Sequence, residues 1–417
     1  MTDAAISPRT GAALERRARE LDAADPLGGL LDRFVDRDAD EGVVAYLDGN
    51  SLGRPTRATV EGIERFVREA WGGRLIRGWY EGWMDWPQGL GDRLGRVCLG
   101  AAAGQTVVAD STSVMLYKLA CAAVAARPGR TEIVTDVNDF PTDRYVLEGI
   151  ADERGMTLRF LATALDGGVT AEQVASIVGP ATALVALSHV NYRSAAIADA
   201  AAITRIAHEA GALVLWDLSH SAGVVPVELD VWGADVAVGC TYKYLDAGPG
   251  SPAFGYVRAE HQATLRQPVQ GWIGRRDPFT MGPGYEPAEG MLRFVSGTPP
   301  IFSMVPLACA LDVIEEAGID AIRAKSVALG EYAIEVTDAL LAPHGAAVVS
   351  PRDGARRGSH VTLQHPRFKD IVDPLWEAGI LLDYRQPDCL RIGLSPLTTT
   401  FAEVHRGLAA VAGVLAA

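Results

Sequence analysis

The most restrictive feature of this sequence is a strand–helix–strand pattern between residues 183 and 217. The apolar run ALVALS opens the pattern, and the apolar run ALVLWD closes it. Between them, Ile203, Ile206, Ala207 and Ala210 follow the i, i+3, i+4, i+7 spacing of a single helix face. Two strands joined by a helix form a βαβ unit, and such units build parallel sheets. The pattern therefore predicts an α/β fold.

The same alternation of apolar runs and helical periods extends through the chain from about residue 105. Several runs are apolar throughout, which is typical of strands buried on both faces. Asp199 and Gly211 are placed to begin and end the intervening helix. We predict a mostly parallel sheet flanked by helices on both faces. The predicted strands are residues 131–135, 157–161, 183–188, 212–216, 236–239 and 253–257.

The pattern changes after about residue 300, where a long helical stretch (302–341) leads into a smaller α+β region. Thr400 and Glu403 form a capping-box pattern at the start of the last helix. We predict an N-terminal segment (1–60) near the small domain and the active site, a large domain (61–305) and a small C-terminal domain (306–417). The strands predicted in the small domain are residues 346–350, 359–364, 380–384 and 389–394.

Net charge and cysteine usage exclude several classes of protein. The chain has 38 Lys and Arg against 52 Asp and Glu, a formal charge of −14, and such a surface repels nucleic acids and anionic membranes. No apolar run reaches the ~18 residues of a membrane span, and no signal peptide is visible. The five cysteines are never spaced as C-x-x-C, which argues against a disulfide framework or a zinc site. We expect a cytoplasmic protein without a metal site.

An acid and a lysine follow neighbouring predicted strands. Asp217 ends the strand ALVLWD, and Lys243 comes shortly after the strand at 236–239. Ligands of open α/β sheets bind beyond the carboxyl ends of the strands, so both side chains are candidates for one site. A lysine there can attach to a carbonyl cofactor, and a carboxylate suits the ring nitrogen of pyridoxal 5'-phosphate (PLP). An ordinary ion pair in a loop is the alternative.

Three nearby features could complete such a site, although each also has an ordinary structural interpretation. Residues 110–113 (DSTS) precede a helical run, so they could hold a phosphate or simply cap the helix. Phe140 could stack on a flat ring or fill the core, and His220 could contact a cofactor or be structural. The sequence contains no G-x-G-x-x-G motif after a strand, no P-loop, no H-E-x-x-H and no G-x-S-x-G elbow.

Two stretches around these residues closely resemble the kynureninase family, whose members are PLP enzymes of the aspartate aminotransferase fold type. They are residues 216–229 (WDLSHSAGVVPVEL) and 239–250 (GCTYKYLDAGPG). The resemblance runs from about residue 45 to the C-terminus. Further matching stretches are 46–53 (YLDGNSLG), 110–114 (DSTSV), 140–143 (FPTD), 188–192 (SHVNY), 271–274 (GWIG), 297–301 (GTPPI) and 390–397 (LRIGLSPL).

The resemblance implies the roles of the site residues. Lys243 would carry PLP, Asp217 would pair with its ring nitrogen, and Arg391 would hold the substrate α-carboxylate. Asn50 and Ser51 would also face the substrate. The other implied cofactor residues are Thr112, Ser113, Phe140, Asp143, Ser188, His220, Tyr242, Trp272 and Thr298. The resemblance implies that the last two would reach the cofactor phosphate across the interface of a homodimer.

The reaction implied by the resemblance is hydrolysis of L-kynurenine to anthranilate and L-alanine, a step of tryptophan catabolism and of the kynurenine pathway toward NAD biosynthesis. Tyr242, next to Lys243, is our candidate acid/base, and we expect nearby positive charge such as Arg391 to lower its pKa. Four tryptophans lie within residues 71–86, and we select Trp79 as a wall for the aniline ring. Family members that prefer 3-hydroxykynurenine have His at this position and Asn at that of Thr298, so the chain resembles the bacterial L-kynurenine type.

Several alternatives stay open at this stage. Asp246 stands where the family commonly has Asn, so it could raise the pKa of Lys243 or face away from it. The substrate could be a 3-hydroxylated or otherwise ring-substituted kynurenine. Another enzyme of the same fold type is also possible, such as an aminotransferase or a cysteine desulfurase, although Cys389 lies too close to Arg391 for the latter. A binding module derived from this fold is disfavoured because Lys243, Asp217 and Arg391 are all present.

Overall fold

The computed structural model of the protein describes residues 8–35 and 42–417. Its strands, numbered along the chain, are β1 (Ala45–Tyr46), β2 (Thr106–Val108), β3 (Glu132–Asp136), β4 (Thr157–Leu161), β5 (Thr182–Ser188), β6 (Leu213–Asp217), β7 (Val236–Gly239), β8 (Phe254–Val257), β9 (Ala347–Val348), β10 (His360–Gln364), β11 (Ile380–Leu381), β12 (Asp383–Arg385) and β13 (Cys389–Gly393).

The helices are numbered in the same way. They are α1 (Pro8–Ala23), α2 (Arg57–Arg65), α3 (Gly72–Arg74), α4 (Trp86–Leu94), α5 (Thr112–Ala125), α6 (Pro141–Arg154), α7 (Ala171–Ile177), α8 (Ala200–Glu209), α9 (Leu229–Trp232), α10 (Ala259–Gln262), α11 (Ile301–Ala317), α12 (Ile319–Val336), α13 (Phe368–Glu377) and α14 (Phe401–Ala416).

Seven strands form the central sheet, in the order β2-β8-β7-β6-β5-β3-β4. The pairs from β7 through β6, β5 and β3 to β4 are all parallel. Strand β8 is antiparallel to both of its neighbours, β7 and β2. The predicted α/β fold with a mostly parallel sheet is therefore confirmed, although the sequence analysis missed the three-residue strand β2.

The sheet is buried on both faces because consecutive apolar residues point to opposite sides of each strand. Leu184, Leu213 and Val236 pack with residues of α5 and α6. Their neighbours Val185 and Val214 pack on the other face with residues of α8 and α11. Helices cover both faces, as predicted.

The helix α8 begins and ends where local chemistry requires it. The Asp199 side chain accepts a hydrogen bond from the Ala202 N–H at 3.0 Å, which caps the first turn. Gly211 has a φ of 80°, a left-handed conformation that glycine adopts without strain. The predicted N-cap and stop are both confirmed.

The predicted helical stretch 302–341 is divided rather than continuous. Gly318, with a φ of 76°, ends α11 and begins α12. The two helices serve different cores, because α11 contributes Leu307 and Leu311 to the core under the central sheet while α12 contributes Leu329 and Tyr332 to a second core.

This second core lies under a four-stranded antiparallel sheet of order β12-β13-β10-β9. The predicted strand 380–384 is split, because β11 pairs in parallel with β1 near the N-terminus while β12 joins the antiparallel sheet. The last helix begins at the predicted capping box, with Thr400 accepting from the Glu403 N–H at 3.1 Å. Among the described helices, none is long and apolar enough to cross a membrane.

Candidate active site

The carboxyl ends of the parallel strands meet around a polar cavity of about 90 Å³, which we call the Lys243 cavity. Ser188 ends β5 and Asp217 ends β6, while Phe140 and Lys243 lie in the loops that follow β3 and β7. The cavity is lined by Thr112, Ser113, Phe140, Thr142, Asp143, Ser188, Tyr192, Asp217, Ser219, His220, Tyr242 and Lys243. Of these, Thr142, Tyr192 and Ser219 were not among the predicted site residues.

Lys243 lies at the centre of this group and is largely buried. Its Nζ lies 3.1 Å from Nε2 of His220. The same nitrogen lies 5.7 Å from the ring centroid of Phe140 and 5.9 Å from that of Tyr242. An amine held between an imidazole and two aromatic rings has room to react with a flat carbonyl compound.

Two buried carboxyl groups, Asp143 and Asp217, line the cavity with Lys243, and a third, Asp139, lies next to them. The Asp217 carboxylate accepts a hydrogen bond from the Ser219 N–H at 2.6 Å, and Asp139 accepts from the Ser188 N–H at 3.0 Å and from its hydroxyl. Burial raises the pKa of Asp217 and raises that of Asp139 to about 7. The pKa of Asp143 is raised well above its usual range by burial and then by the charges of Asp217 and Asp139. The sequence analysis missed Asp139, although it directly precedes the FPTD stretch.

Burial disfavours the charged form of these carboxyl groups, so a nearby cation is needed to keep one of them ionised, and the site favours a cationic ligand. A protonated pyridine nitrogen is such a cation, and it also donates one hydrogen bond to a carboxylate. The carboxyl groups of Asp143 and Asp217 beside Lys243 therefore fit the ring of PLP.

The start of α5, by contrast, favours a negatively charged ligand. Ser111 caps the helix, its hydroxyl accepting from the Val114 N–H at 3.5 Å. The first turn contains Thr112 and Ser113, which line the Lys243 cavity. Backbone N–H groups at a helix N-terminus favour an anion such as a phosphate. The two ends of the cavity thus match the two ends of PLP.

The imidazole of His220 contacts the lysine on one side and His360 on the other. The ring centroids of the two histidines lie 5.5 Å apart. Burial is the main cause that lowers the pKa of both rings well below the usual range. The charge of Lys243 lowers the pKa of His220 further, and the charge of Arg391 lowers that of His360 further. Nδ1 of His220 and both nitrogens of His360 have no hydrogen-bond partner among the described residues. His360, which the sequence analysis missed, joins the small domain to the site.

Arg391 comes to the site from β13 and is 2% exposed. Its guanidinium pairs with the Asp383 carboxylate, donates to the Tyr192 carbonyl at 2.7 Å and donates to the Ser51 hydroxyl at 3.0 Å. The side-chain oxygen of Asn50 accepts a hydrogen bond from Arg391 at 3.3 Å, in the amide orientation that satisfies both of its polar atoms. The structure therefore brings three predicted substrate residues together, and it adds Asp383, which no sequence pattern indicated.

The pKa of the Tyr242 hydroxyl differs from the expectation. Burial raises this pKa, and neighbouring Cys240 and Asp217 raise it further. The expected lowering by Arg391 was wrong, because desolvation disfavours the phenolate and Arg391 is not among the groups that shift this pKa. The protonated phenol is therefore the favoured form of the Tyr242 side chain.

The remaining predicted site residues do not line the Lys243 cavity. Trp79 and Thr298 line an apolar groove of about 420 Å³, and both also line an adjoining pocket of about 160 Å³ with Trp272. We call these two spaces together the aromatic groove. It is lined by Phe66, Trp71, Leu75, Ile76, Trp79, Tyr80, Trp83, Met84, Trp272, Ile273, Phe279, Thr298, Pro299, Ile301 and Phe302.

Asp246 has a local structural role. Its carboxylate is buried and accepts a hydrogen bond from the Arg54 N–H at 3.0 Å. Its φ of 51° lies in the left-handed region, which Asp and Asn tolerate better than most residues.

The fold, with a lysine and a carboxylate at the carboxyl ends of its strands, is that of the PLP-dependent enzymes of fold type I. Similar structures include the apo cysteine desulfurase of Thermococcus onnurineus NA1, with a TM-score of 0.78, 20% identity, and coverage of 91% of this chain and 98% of that chain. A C-DES mutant with glycine covalently linked to its PLP cofactor gives a TM-score of 0.78 at 21% identity, covering 91% and 99% of the two chains. These likenesses concern the fold.

Closer relatives identify the family. A kynureninase of Pseudomonas fluorescens is 42% identical over 391 residues, covering 92% of this chain and 91% of the relative. A kynureninase of Burkholderia pseudomallei is 40% identical, covering 93% and 92% of the two chains. Residues 322–411 match the family model described as the kynureninase C-terminal domain. The chain belongs to the kynureninase family.

Proposed function

We propose that this protein binds PLP and hydrolyses L-kynurenine to anthranilate and L-alanine. The observation that carries the proposal is the Lys243 cavity, in which Lys243 and the buried carboxyl groups of Asp143 and Asp217 line one pocket beyond the strand ends of a kynureninase-family chain. This arrangement also fits other fold-type-I enzymes, so the family relationship supplies the substrate class.

The residues that would hold PLP divide into two groups. Thr112 and Ser113 at the start of α5 would bind its phosphate, and Asp217 would hold its ring nitrogen in the protonated form. Phe140 would stack on the ring. The others that would contact it are Asp143, Ser188, His220, Tyr242 and Lys243. When bound, PLP supplies an electron sink for bonds to the substrate α-carbon.

The chain's own residues would then bind the substrate and move protons. Lys243 Nζ would accept the substrate α-proton, because it is the basic group at the centre of the cavity. Arg391 would bind the α-carboxylate together with Asn50 and Ser51, and Asp383 holds its guanidinium in place.

Tyr242 would act as an acid at the substrate carbonyl. Its hydroxyl stays protonated because burial raises its pKa. It would therefore hydrogen-bond the carbonyl oxygen and pass its proton to that oxygen as water adds to the carbonyl carbon, and the proton that the water loses would return to the phenolate. Tyr242→Phe should lower kcat while leaving PLP bound, and full retention of kcat would contradict this role.

We also propose a homodimer in which the aromatic groove faces the partner subunit. Trp71, Ile76 and Tyr80 are 55%, 69% and 73% exposed in one chain, and a patch of this kind is typical of an interface. Trp272 and Thr298 would then reach the cofactor phosphate of the other subunit, and Trp79 would contact the substrate ring. This arrangement accounts for their distance from the Lys243 cavity within one chain.

A cysteine desulfurase is the strongest alternative on fold alone. That reaction needs a nucleophilic thiolate. Burial raises the pKa of the Cys389 thiol to about 11, and Cys389 lies within β13 rather than on a loop. The other described cysteines also have raised pKa values, because burial disfavours the thiolate in each. The chain thus offers no suitable nucleophile among its described cysteines.

The function is tested by incubating the purified protein with L-kynurenine and, in parallel, with 3-hydroxykynurenine. We expect fluorescent anthranilate from the first at a higher kcat/KM than product from the second. Borohydride should fix PLP on Lys243. Inertness toward both substrates would overturn the proposed activity, and a preference for 3-hydroxykynurenine would correct the ring specificity.

The cellular setting is a further part of the proposal. The described cysteines are all free, which suits a reducing compartment such as the cytoplasm. Cleavage of kynurenine would place the enzyme in tryptophan catabolism and on a route toward NAD biosynthesis. Fractionation and growth on tryptophan of a strain that lacks the protein test these two points.

A further inference from the structure

A second buried lysine, Lys118, lies behind the start of α5 and takes no part in the function proposed above. Its side chain is fully buried. Its Nζ donates to Oδ2 of Asp110 at 2.6 Å and to the carbonyl oxygen of Phe294. A buried ammonium destabilises the fold unless hydrogen bonds and an opposite charge compensate it. We therefore ask what this buried pair contributes to the structure around it.

The partner Asp110 lies at the mouth of the proposed phosphate site. It directly precedes Ser111, the N-cap of α5, and its φ of 52° lies in the left-handed region, which Asp tolerates better than most residues. Its carbonyl accepts from the Ala253 N–H at 2.9 Å, which ties the loop to the strand edge next to it. The loop that presents Thr112 and Ser113 therefore depends on the placement of Asp110.

The charge of Asp110 opposes the function of this loop. An unpaired carboxylate two residues before the first turn of α5 would repel a phosphate from the helix N-terminus. The Lys118 ammonium offsets this charge at contact distance. Its second bond, to Phe294, connects the same loop to the segment that leads to Thr298 in the aromatic groove.

We propose that Lys118 is the positioning residue of the phosphate site: it neutralises Asp110 and holds the loop so that the cofactor phosphate can bind at the N-terminus of α5. The inference rests on the proposed function, since it assumes that PLP is the ligand. It assigns Lys118 an indirect role, through Asp110 and the loop, rather than contact with the cofactor.

The chain provides a matched control in Lys325. This lysine is also buried, and its Nζ pairs with Asp25 Oδ2 at the same distance of 2.6 Å. The pair joins α12 to the segment after α1 and does not line the Lys243 cavity. Loss of either lysine leaves a carboxylate without its cation, buried at Asp25 and partly buried at Asp110, so both variants should lower the melting temperature. Only Lys118 should affect PLP.

The experiment measures the PLP dissociation constant of the full-length protein by visible absorbance, after removal and re-addition of PLP. For Lys118→Met we expect about tenfold or greater weakening, with a smaller change in the KM for kynurenine. Lys325→Met should keep the wild-type affinity for PLP. Asp110→Asn combined with Lys118→Met should recover most of the loss, because it removes the repelling charge. Lys118→Gln replaces Lys118→Met if the latter does not fold.

Two results would overturn the inference. One is wild-type PLP affinity in a folded Lys118 variant, and the other is a double variant that binds PLP no better than the single one. Either result leaves the proposed function intact if the wild type binds PLP and releases anthranilate. Failure of the wild type to bind PLP would instead overturn the proposed function itself.

Discussion

The Lys243 cavity is enclosed by a single chain, whereas the aromatic groove is open at the surface of that chain. The cavity is small, about 90 Å³, and the charged residues that line it are buried within one chain. The groove is larger, about 420 Å³ in its main part, and several of its apolar residues remain exposed. Burial is thus complete within one chain at the first region and incomplete at the second.

This difference shows that the predicted site residues belong to two kinds of location. Those at strand ends converge because one sheet orients all of its carboxyl ends toward the same edge. Trp79, Trp272 and Thr298 converge on each other but away from Lys243. If the chain forms the proposed homodimer, the second group completes a site that the first group begins.

The strongest test of the cavity is Lys243→Ala. We expect anthranilate release to fall by about 10⁴-fold, since the group that would carry PLP and move the α-proton is lost. The assay is fluorescence at saturating L-kynurenine, with circular dichroism as the control for folding. Activity within tenfold of the wild type would remove Lys243 from the reaction.

Asp217→Asn tests the carboxylate cluster. We expect kcat/KM to fall on the order of 10²–10³-fold, because the amide no longer favours a protonated ring nitrogen. Asp246→Asn is the matched control, since Asp246 is also a buried carboxylate near Lys243 in the sequence but contacts Arg54. This control should stay within about twofold of the wild type. Equal losses in both variants would contradict a specific role for Asp217.

Ile76→Asp tests the groove. Ile76 is 69% exposed, so a charge there should fold normally in one chain and disfavour a dimer by about 2 kcal/mol or more. Light scattering after gel filtration should show monomers at low concentration. Val231→Asp is the control, because Val231 is 80% exposed outside the groove. An unchanged dimer in Ile76→Asp would place the interface elsewhere.

The smallest expected effect is a pH dependence that belongs to the cavity and not to the groove. Burial raises the pKa of Asp139 to about 7, against about 3.9 in an unfolded chain. The folded state therefore binds this proton more tightly, and its contribution to stability is full below about pH 4 and lost as the pH rises to about 7. The pKa values of Asp143 and Asp217 are raised in the same direction.

Thermal unfolding of the PLP-free protein at pH 5 and pH 8 measures this effect. We expect a lower melting temperature at pH 8, by about 2–4 °C for each kcal/mol lost. Asp139→Asn should reduce the difference between the two pH values, and Ile76→Asp should leave it unchanged. A pH difference of equal size in Asp139→Asn and the wild type would contradict the assignment.

Much of the cavity could be predicted because its signals are local. An apolar run followed by Asp217 and another followed by Lys243 place both residues at strand ends, and the sheet then brings them together. Asp139 was missed because one carboxylate beside FPTD has no pattern of its own. Asp383 was missed for a similar reason, since its pairing with Arg391 arises from the register of β12 against β13.

The sequence by itself determined the α/β class, the strand ends that carry the site and the family resemblance, because periodicity, capping and motif spacing depend on near neighbours along the chain. Only the tertiary structure decided the break at Gly318, the raised pKa of Tyr242 and the separation of Trp79 from Lys243. These properties depend on which distant residues become neighbours and on how much water they exclude. Desolvation and long-range pairing arise only when the chain is folded, so a linear pattern does not contain them.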